Sequence, residues 1–213
     1  MRKYIGQNGK VFDTPEEAYW ETRYSQGLNS GAGSGGEERD WKWKAITKLV
    51  PEMTYALFQS VVDVACGDLR FWEGRIGPEE YVGIDISKTI VEENRRKQPN
   101  WDFIWSPAER RIEGLKAPVV LCMDLLFHIM DDDRFEAILE NLCYYSSRYI
   151  LIHTWIVNPL GNREPYTDGE YMTFRRFEDY FPLFEKNGFS NQTISNNPNG
   201  VGALYFFDLS PIL

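Results

Sequence analysis

The segment whose residue types and spacing carry the most chemistry is Val61-Val62-Asp63-Val64-Ala65-Cys66-Gly67-Asp68. A short apolar run through Asp63 and Val64 is followed by a tight turn, Ala65-Cys66-Gly67, which leaves the carboxyl end of a strand open to a ligand. Gly67 lets backbone approach that ligand closely, and small Ala65 meets the same need less perfectly. A second apolar run, Tyr81-Val82-Gly83-Ile84-Asp85, ends on a carboxylate eighteen positions after Gly67. An acid so placed can accept hydrogen bonds from both hydroxyls of a ribose. Set against the dinucleotide fingerprint GxGxxG, Ala65-Cys66-Gly67-Asp68-Leu69-Arg70 keeps one glycine of three, and acidic Asp68 would repel a pyrophosphate. A nicotinamide oxidoreductase is thereby disfavoured. The location suits a ligand with a ribose and a cationic amino group but no phosphate, and S-adenosylmethionine has that chemistry.

Both histidines follow strand-like runs. His128 lies just beyond Val119-Val120-Leu121-Cys122-Met123-Asp124, on the side where an acceptor would sit, and an imidazole there can serve as a general base. His153 closes a later strand and is the alternative base. Asp131-Asp132-Asp133, with Asp124, could hold a divalent cation, but three acids in a helix's first turn already complement its dipole, and no metal is assigned. Cys66, Cys122 and Cys143 form no CxxC pair and read as reduced thiols, Cys66 being a small residue that the turn requires.

The elements that must position these groups alternate strand and helix from residue 60 onward. Strand candidates lie at 60–65, 81–85, 101–105, 118–123 and 149–153, and continuous apolar runs of this kind suit a parallel sheet covered on both faces. Phe135, Ile138, Leu139 and Leu142, and then Phe177, Tyr180, Phe181 and Phe184, recur at helical spacing and read as core-facing stripes. The tail, 191–195 and 203–209, predicts a closing strand pair. Ahead of residue 60, Thr14-Pro15-Glu16-Glu17 predicts a capped helix start, the stretch 29–36 is rich in glycine and serine, and one helix is expected over about 37–58. The expected architecture is α/β: a Rossmann-like, seven-stranded, mostly parallel sheet with helices on both faces and an N-terminal helical cap. Residues 1–59 form that cap with a Gly/Ser-rich lid loop, and residues 60–213 form the cofactor-binding part.

In order and spacing, the Asp63–Asp68 turn, the Tyr81–Ser87 strand with its acid and the Val119–His128 segment resemble the motifs of class I S-adenosylmethionine-dependent methyltransferases. Lys186-Asn187-Gly188-Phe189 before the two closing strands fits the same family. The resemblance covers about residues 60–210. It implies that Asp63, Ala65, Cys66 and Gly67 shape the pocket for the amino-acid end of the cofactor. Asp85 and adjoining Ile86 would meet the ribose, and Ser106-Pro107-Ala108 the adenine, with Glu109 in reserve. Met123 and Asp124 would lie beside the reactive methyl, with His128 and Asp124 as the catalytic candidates. The 19–24 helix, the 30–34 loop and the 123–128 segment further resemble uncharacterised bacterial and phage methyltransferases associated with surface-glycan genes. Trp155, Asn158, Arg163, Tyr166 and Arg175, after the fifth strand, are the expected acceptor wall.

Composition narrows the partner. The 213 residues carry a formal net charge of −9, with 43% hydrophobic and 26% charged residues. That balance fits a folded domain and argues against a general nucleic-acid surface, because such binding depends on neutralising phosphates. No apolar run approaches a membrane span, and Met1-Arg2-Lys3-Tyr4 has no signal-peptide core, so a cytoplasmic setting is expected. The function expected is methyl transfer to a small-molecule or glycan acceptor. A protein acceptor, or a subunit that binds the cofactor without turnover, is the alternative, and oligomeric state is left open.

Overall fold

The computed structural model describes residues 4–5, 9–49 and 51–209; Met1–Lys3, read above for a targeting signal, and Val50 lie outside the described residues. A short pair, β1 (Tyr4–Ile5) and β2 (Val11–Phe12), precedes α1 (Pro15–Ser25), α2 (Gly36–Leu49) and α3 (Pro51–Gln59). Then follow β3 (Ser60–Val64), β4 (Glu80–Asp85), α4 (Lys88–Lys97), β5 (Asp102–Trp105), β6 (Ala117–Met123), α5 (Asp132–Tyr145) and β7 (Ser146–Trp155). A second short pair, β8 (Tyr166–Thr167) and β9 (Thr173–Phe174), leads to α6 (Phe181–Lys186) and the hairpin β10 (Ser190–Asn196) and β11 (Gly202–Asp208).

Seven strands form one sheet in the order β10-β11-β7-β6-β3-β4-β5. The five strands from β7 to β5 are parallel, and β11 and β10 add antiparallel at one edge. After β5 the chain returns to place β6 on the other side of β3, so the strand order reverses between β3 and β6. In open α/β sheets such a reversal opens a crevice at the carboxyl ends of the strands.

Neighbouring residues along each strand go to opposite faces, as the period of two requires. Val62, Val120, Ile150 and Tyr205 pack on one face with Phe135, Ile138, Leu139 and Leu142 of α5 and Phe184 of α6. Val61, Val119, Leu151 and Leu204 pack on the other with Ile46 of α2, Met53 and Leu57 of α3, and Trp72. The seven-stranded, mostly parallel sheet with helices on both faces is the one the sequence predicts, and both aromatic-aliphatic stripes are core. The single helix expected over 37–58 is instead two, α2 and α3. Pro51 is the first residue of the second one, a position that proline tolerates because it lacks the amide donor a helix interior needs.

The capped start of α1 is present: the Thr14 hydroxyl accepts from Glu17 N (3.2 Å) and Glu17 Oε2 accepts from Asp13 N (3.1 Å). Two buried carboxylates then fix where α1 lies. Glu21 accepts from Ser87 Oγ (2.6 Å), Thr89 N (3.1 Å) and Thr89 Oγ1 (2.8 Å), at the amino end of α4. Glu16 accepts from Met130 N (3.3 Å) and pairs with Arg134 (2.9 Å) in the first turn of α5. The helix therefore bridges the amino ends of α4 and α5 and roofs the crevice.

Burial alone would raise the Glu21 pKa, but the Ser87 and Thr89 donors outweigh it and hold the pKa below its usual 4.5. A depressed carboxylate pKa contributes stability above the unfolded value and loses it as pH falls through the folded one. Glu21→Gln is expected to cost about 1–3 kcal/mol, the range for a hydrogen-bonded charged group. It should also flatten the fall in stability below about pH 4.5 that this group contributes. Urea denaturation at pH 7 and pH 4 checks both; an unchanged midpoint at pH 7 would show that α1 is held by other contacts.

Candidate functional site

A cavity of about 510 Å³ opens at the carboxyl ends of the strands, within the range of small-molecule and cofactor sites. Its floor is built from strand ends: Asp63, Ala65, Cys66 and Gly67 at β3, Asp85 and Ile86 at β4, Ser106 and Ala108 after β5, and Met123 and Asp124 at β6. Residues of α1, including Tyr19, Trp20 and Tyr24, line it as well. All the expected cofactor residues reach the cavity except Pro107, whose neighbours Ser106 and Ala108 do so instead.

The first turn is tied to the second strand through Asp85. Its Oδ2 accepts from Gly67 N and its Oδ1 from Ser87 N, both at 2.9 Å. Burial pushes the Asp85 carboxyl up to about 6 despite these bonds, with Asp63 and Asp68 adding like charge. Gly67 takes a φ of 54°, and a Cβ there would lie 2.5 Å from Ser30 Oγ. Ala65 occupies the left-handed region at φ 62°, so a non-glycine residue carries strain where small size alone had been anticipated. Asp63 Oδ2 accepts from Trp72 Nε1 (3.1 Å) and Tyr81 OH (2.8 Å), and burial raises its pKa to about 6. Burial also pushes the Cys66 thiol well above its usual range, so it is no nucleophile at neutral pH.

The Gly/Ser-rich stretch crosses this turn. Ser30 Oγ donates to Asp68 Oδ1 (2.7 Å), Ser30 N donates to Asp68 Oδ2 (3.0 Å), and the Tyr24 hydroxyl meets Ser30 Oγ at 2.9 Å. The Gly33 carbonyl accepts from Lys42 Nζ (2.8 Å).

This architecture matches solved structures. Magnesium protoporphyrin IX methyltransferase from Synechocystis, with bound S-adenosylhomocysteine, superposes with a TM-score of 0.64 at 16% identity, covering 92% of this chain and 98% of that one. The N-methyltransferase NodS from Bradyrhizobium japonicum gives 0.61 at 8% identity, over 80% and 86%. An S-adenosylmethionine-dependent methyltransferase from Clostridium acetobutylicum gives 0.58 at 12%, over 81% and 91%. The fold is that of the class I methyltransferases. No protein-family model and no curated protein matches the sequence.

Within that fold the two catalytic candidates stand in different environments. The Asp124 carboxylate is shared between Lys42 Nζ and His153 Nδ1. Burial would raise its pKa, but His153 and Lys42 outweigh it and hold it far below the usual range, which makes Asp124 a poor base. His153, the alternative base, is 1% exposed, is bound to Asp124 and does not line the cavity. His128 does line it. Burial lowers the His128 pKa below 6.5, only partly offset by its Nδ1 contact with the Tyr171 carbonyl (3.1 Å). With Nδ1 protonated toward that carbonyl, Nε2 is the lone-pair nitrogen.

The expected acceptor wall is largely occupied elsewhere. Arg175 pairs with Asp132 and the carbonyls of Ile129 and Met130, Arg163 pairs with Glu178, and Asn158 closes its own loop onto Asn162 and Glu164. Trp155 lines the cavity, joined by Tyr171 and Met172. Asp131 caps α5 by accepting from Arg134 N (2.9 Å). Lys42, Glu16 and Arg70 at the cavity were not anticipated; each meets it from a segment whose pairing partner, where it has one, is remote in sequence.

Lys42 is buried, its side chain 2% exposed, and such a charge persists only when paired. Lys42→Met should cost about 3 kcal/mol by leaving Asp124 short of a counter-charge. Lys42→Met with Asp124→Asn should cost less than the two changes summed. Denaturant titration of the three variants checks this, and strict additivity would show that the pair is not coupled.

Proposed function

We propose that this protein is an S-adenosylmethionine-dependent methyltransferase acting on a small-molecule acceptor. The observation that carries the reading is the Asp85 carboxylate at the strand-order reversal, held by Gly67 N and Ser87 N over a turn unsuited to phosphate. The cradle fits the cofactor. Gly67 presents bare backbone where a Cβ would collide with Ser30, and the Arg70 guanidinium lines the cavity with no carboxylate partner among the described residues. Asp85 would hold the ribose, Ser106 and Ala108 the adenine, and Arg70 the carboxylate of the amino-acid end, while the Ser30–Gly36 loop acts as a lid. When bound, the cofactor supplies an electrophilic methyl group on a sulfonium.

The protein's own residues supply alignment, dryness and a place for the acceptor's proton. Such a transfer depends chiefly on orientation and exclusion of water. Tyr19, Trp20 and Tyr24 of the roof, with Phe127 and Trp155, form apolar walls. His128, neutral because burial lowers its pKa, takes the proton of the acceptor. Lys42 and His153 keep Asp124 ionised, which leaves a fixed negative charge at the end of β6. Among the described residues no helix is long and apolar enough to cross a membrane. A non-catalytic binding subunit is the second reading, favoured by the strained alanine at position 65; it would bind cofactor and transfer nothing.

Asp85→Ala is expected to weaken S-adenosylhomocysteine binding about thirtyfold, the equivalent of about 2 kcal/mol for a charged hydrogen-bonding partner. Wild-type affinity should fall as pH drops through about 6, where Asp85 takes up a proton. Calorimetry between pH 5 and pH 8 checks both, and equal affinities of wild type and variant would remove Asp85 from the site.

His128→Ala should leave that affinity nearly unchanged while lowering turnover by about a hundredfold or more. The wild-type rate should rise with pH through a value below 6.5 and level off, because only the neutral ring accepts a proton. Tritium transfer from labelled cofactor into candidate acceptors measures the rates; a variant as fast as wild type would make His128 structural.

A further inference from the structure

Six aromatic side chains of the cavity form one wall. Phe127 stacks on Trp155 with ring centroids 4.3 Å apart and planes at 5°, and Tyr19 stacks on Tyr171 at 4.7 Å and 10°. His128 sits between these pairs, 4.5 Å from Phe127, 5.9 Å and nearly parallel to Tyr171, and edge-on to Trp20 at 5.2 Å. All six line the cavity. The wall joins three parts of the chain: α1, the turn after β6, and the segment from the end of β7 to β9.

Most of the charged groups bordering this wall are engaged with other protein groups. Glu16 is bound by Arg134 and Met130 N, Arg134 also by Glu109, and Arg23 donates to the Asn29 carbonyl. A polyhydroxylated sugar entering here would lose water from several hydroxyls and find Glu16 and Arg134 already engaged with each other, at a cost for each hydroxyl left unmatched. A planar aromatic molecule loses little hydration and gains offset or edge-on ring contacts. A single acidic hydroxyl on such a ring would match the one titratable imidazole in the wall.

We infer that the acceptor is a planar aromatic compound bearing a phenolic hydroxyl, not the glycan that the sequence resemblance suggested, an assignment that rests on the methyltransferase reading above. In the transfer the phenol proton passes to His128 Nε2. The new oxygen–carbon bond uses a phenolic lone pair, and the sulfur–methyl bond breaks with its electrons retained by sulfur, leaving a neutral thioether.

The test reads binding rather than turnover. The intact protein is titrated calorimetrically with 2-naphthol, methyl α-glucopyranoside and tetramethylammonium, with and without S-adenosylhomocysteine. The expected result is binding of 2-naphthol alone. It should be weakened at least about tenfold in Trp155→Ala and in Tyr171→Ala, with affinity for S-adenosylhomocysteine unchanged in both. Trp155→Leu serves if the alanine variants do not fold, and the probe selectivity of the wild type decides the matter without any variant. Preference for the glucoside or the quaternary cation, or undiminished naphthol binding in the folded variants, would overturn the assignment. Naphthol binding without any S-adenosylhomocysteine binding would support the aromatic site while sinking the methyltransferase reading.

Discussion

A carboxylate buried without a cation must be met by hydrogen-bond donors, and Asp85 meets that constraint with the amides of Gly67 and Ser87. Much of the site follows from it. Donating Gly67 N to Asp85 fixes the turn after β3, and the close approach of Ser30 and Tyr24 then leaves no room for a side chain at position 67. Ser87 caps the amino end of α4, and its hydroxyl passes the connection on to Glu21. From Glu21 the roof helix runs to Glu16, Arg134 and the start of α5. One hydrogen-bonded path thus crosses the crevice from the second strand to the helix after the fourth strand of the parallel set. The roof is positioned by the polar contacts of Glu16 and Glu21, while the aromatic side chains of Tyr19, Trp20 and Tyr24 remain available to the cavity.

The two buried charge arrangements have opposite consequences for proton chemistry. Around Asp124, a lysine and a histidine stabilise the ionised form, so that group holds a charge and does not exchange it. Around His128, burial outweighs the opposing contact with the Tyr171 carbonyl and leaves the ring uncharged, while that contact at Nδ1 leaves Nε2 as the basic nitrogen. Both residues follow β6 within five positions, so the same short segment provides a permanent anion and a proton acceptor. Their separation into roles depends on Lys42, which arrives from α2.

The sheet was legible because each apolar run is short, continuous and bounded by turn residues, and because buried parallel strands need that composition. The strand-end residues Asp63, Gly67, Asp85 and Asp124 were legible for the same reason: once a strand is located, its carboxyl end is located. Pro51 was present in the sequence as a helix start, and a helix drawn through it overrode a local rule that held. Lys42, Glu16 and Glu21 had no comparable signal. Each is a charged residue in an ordinary amphipathic helix, and its role exists only through partners 66 to 118 positions away: Glu21 with Ser87 at the short end, Lys42 with Asp124 between, and Glu16 with Arg134 at the long end. Of the expected acceptor wall only Trp155 lines the cavity: aromatic and basic residues after β7 look alike in sequence, whereas the folded chain closes Arg163 and Arg175 onto carboxylates.

Among the described residues three that are not glycine adopt left-handed backbone, Ala65 at φ 62°, Leu69 at φ 63° and Asp124 at φ 62°, and all lie just after β3 or β6. Each such conformation costs about 1–2 kcal/mol, so it persists only where surrounding contacts over-determine it. Those contacts are present: Cys66 N donates to Ile84 O, Leu69 N to Cys66 O, and Asp124 N to His153 O. The strain is therefore concentrated on either side of the strand-order reversal. Left-handed backbone at these points turns the chain sharply out of the sheet, so that the residues after β3 and after β6 face one another across the crevice. A helical or extended conformation at either point would relieve the strain and carry Gly67 or His128 away from the cavity it now lines. The strain and the site have the same cause.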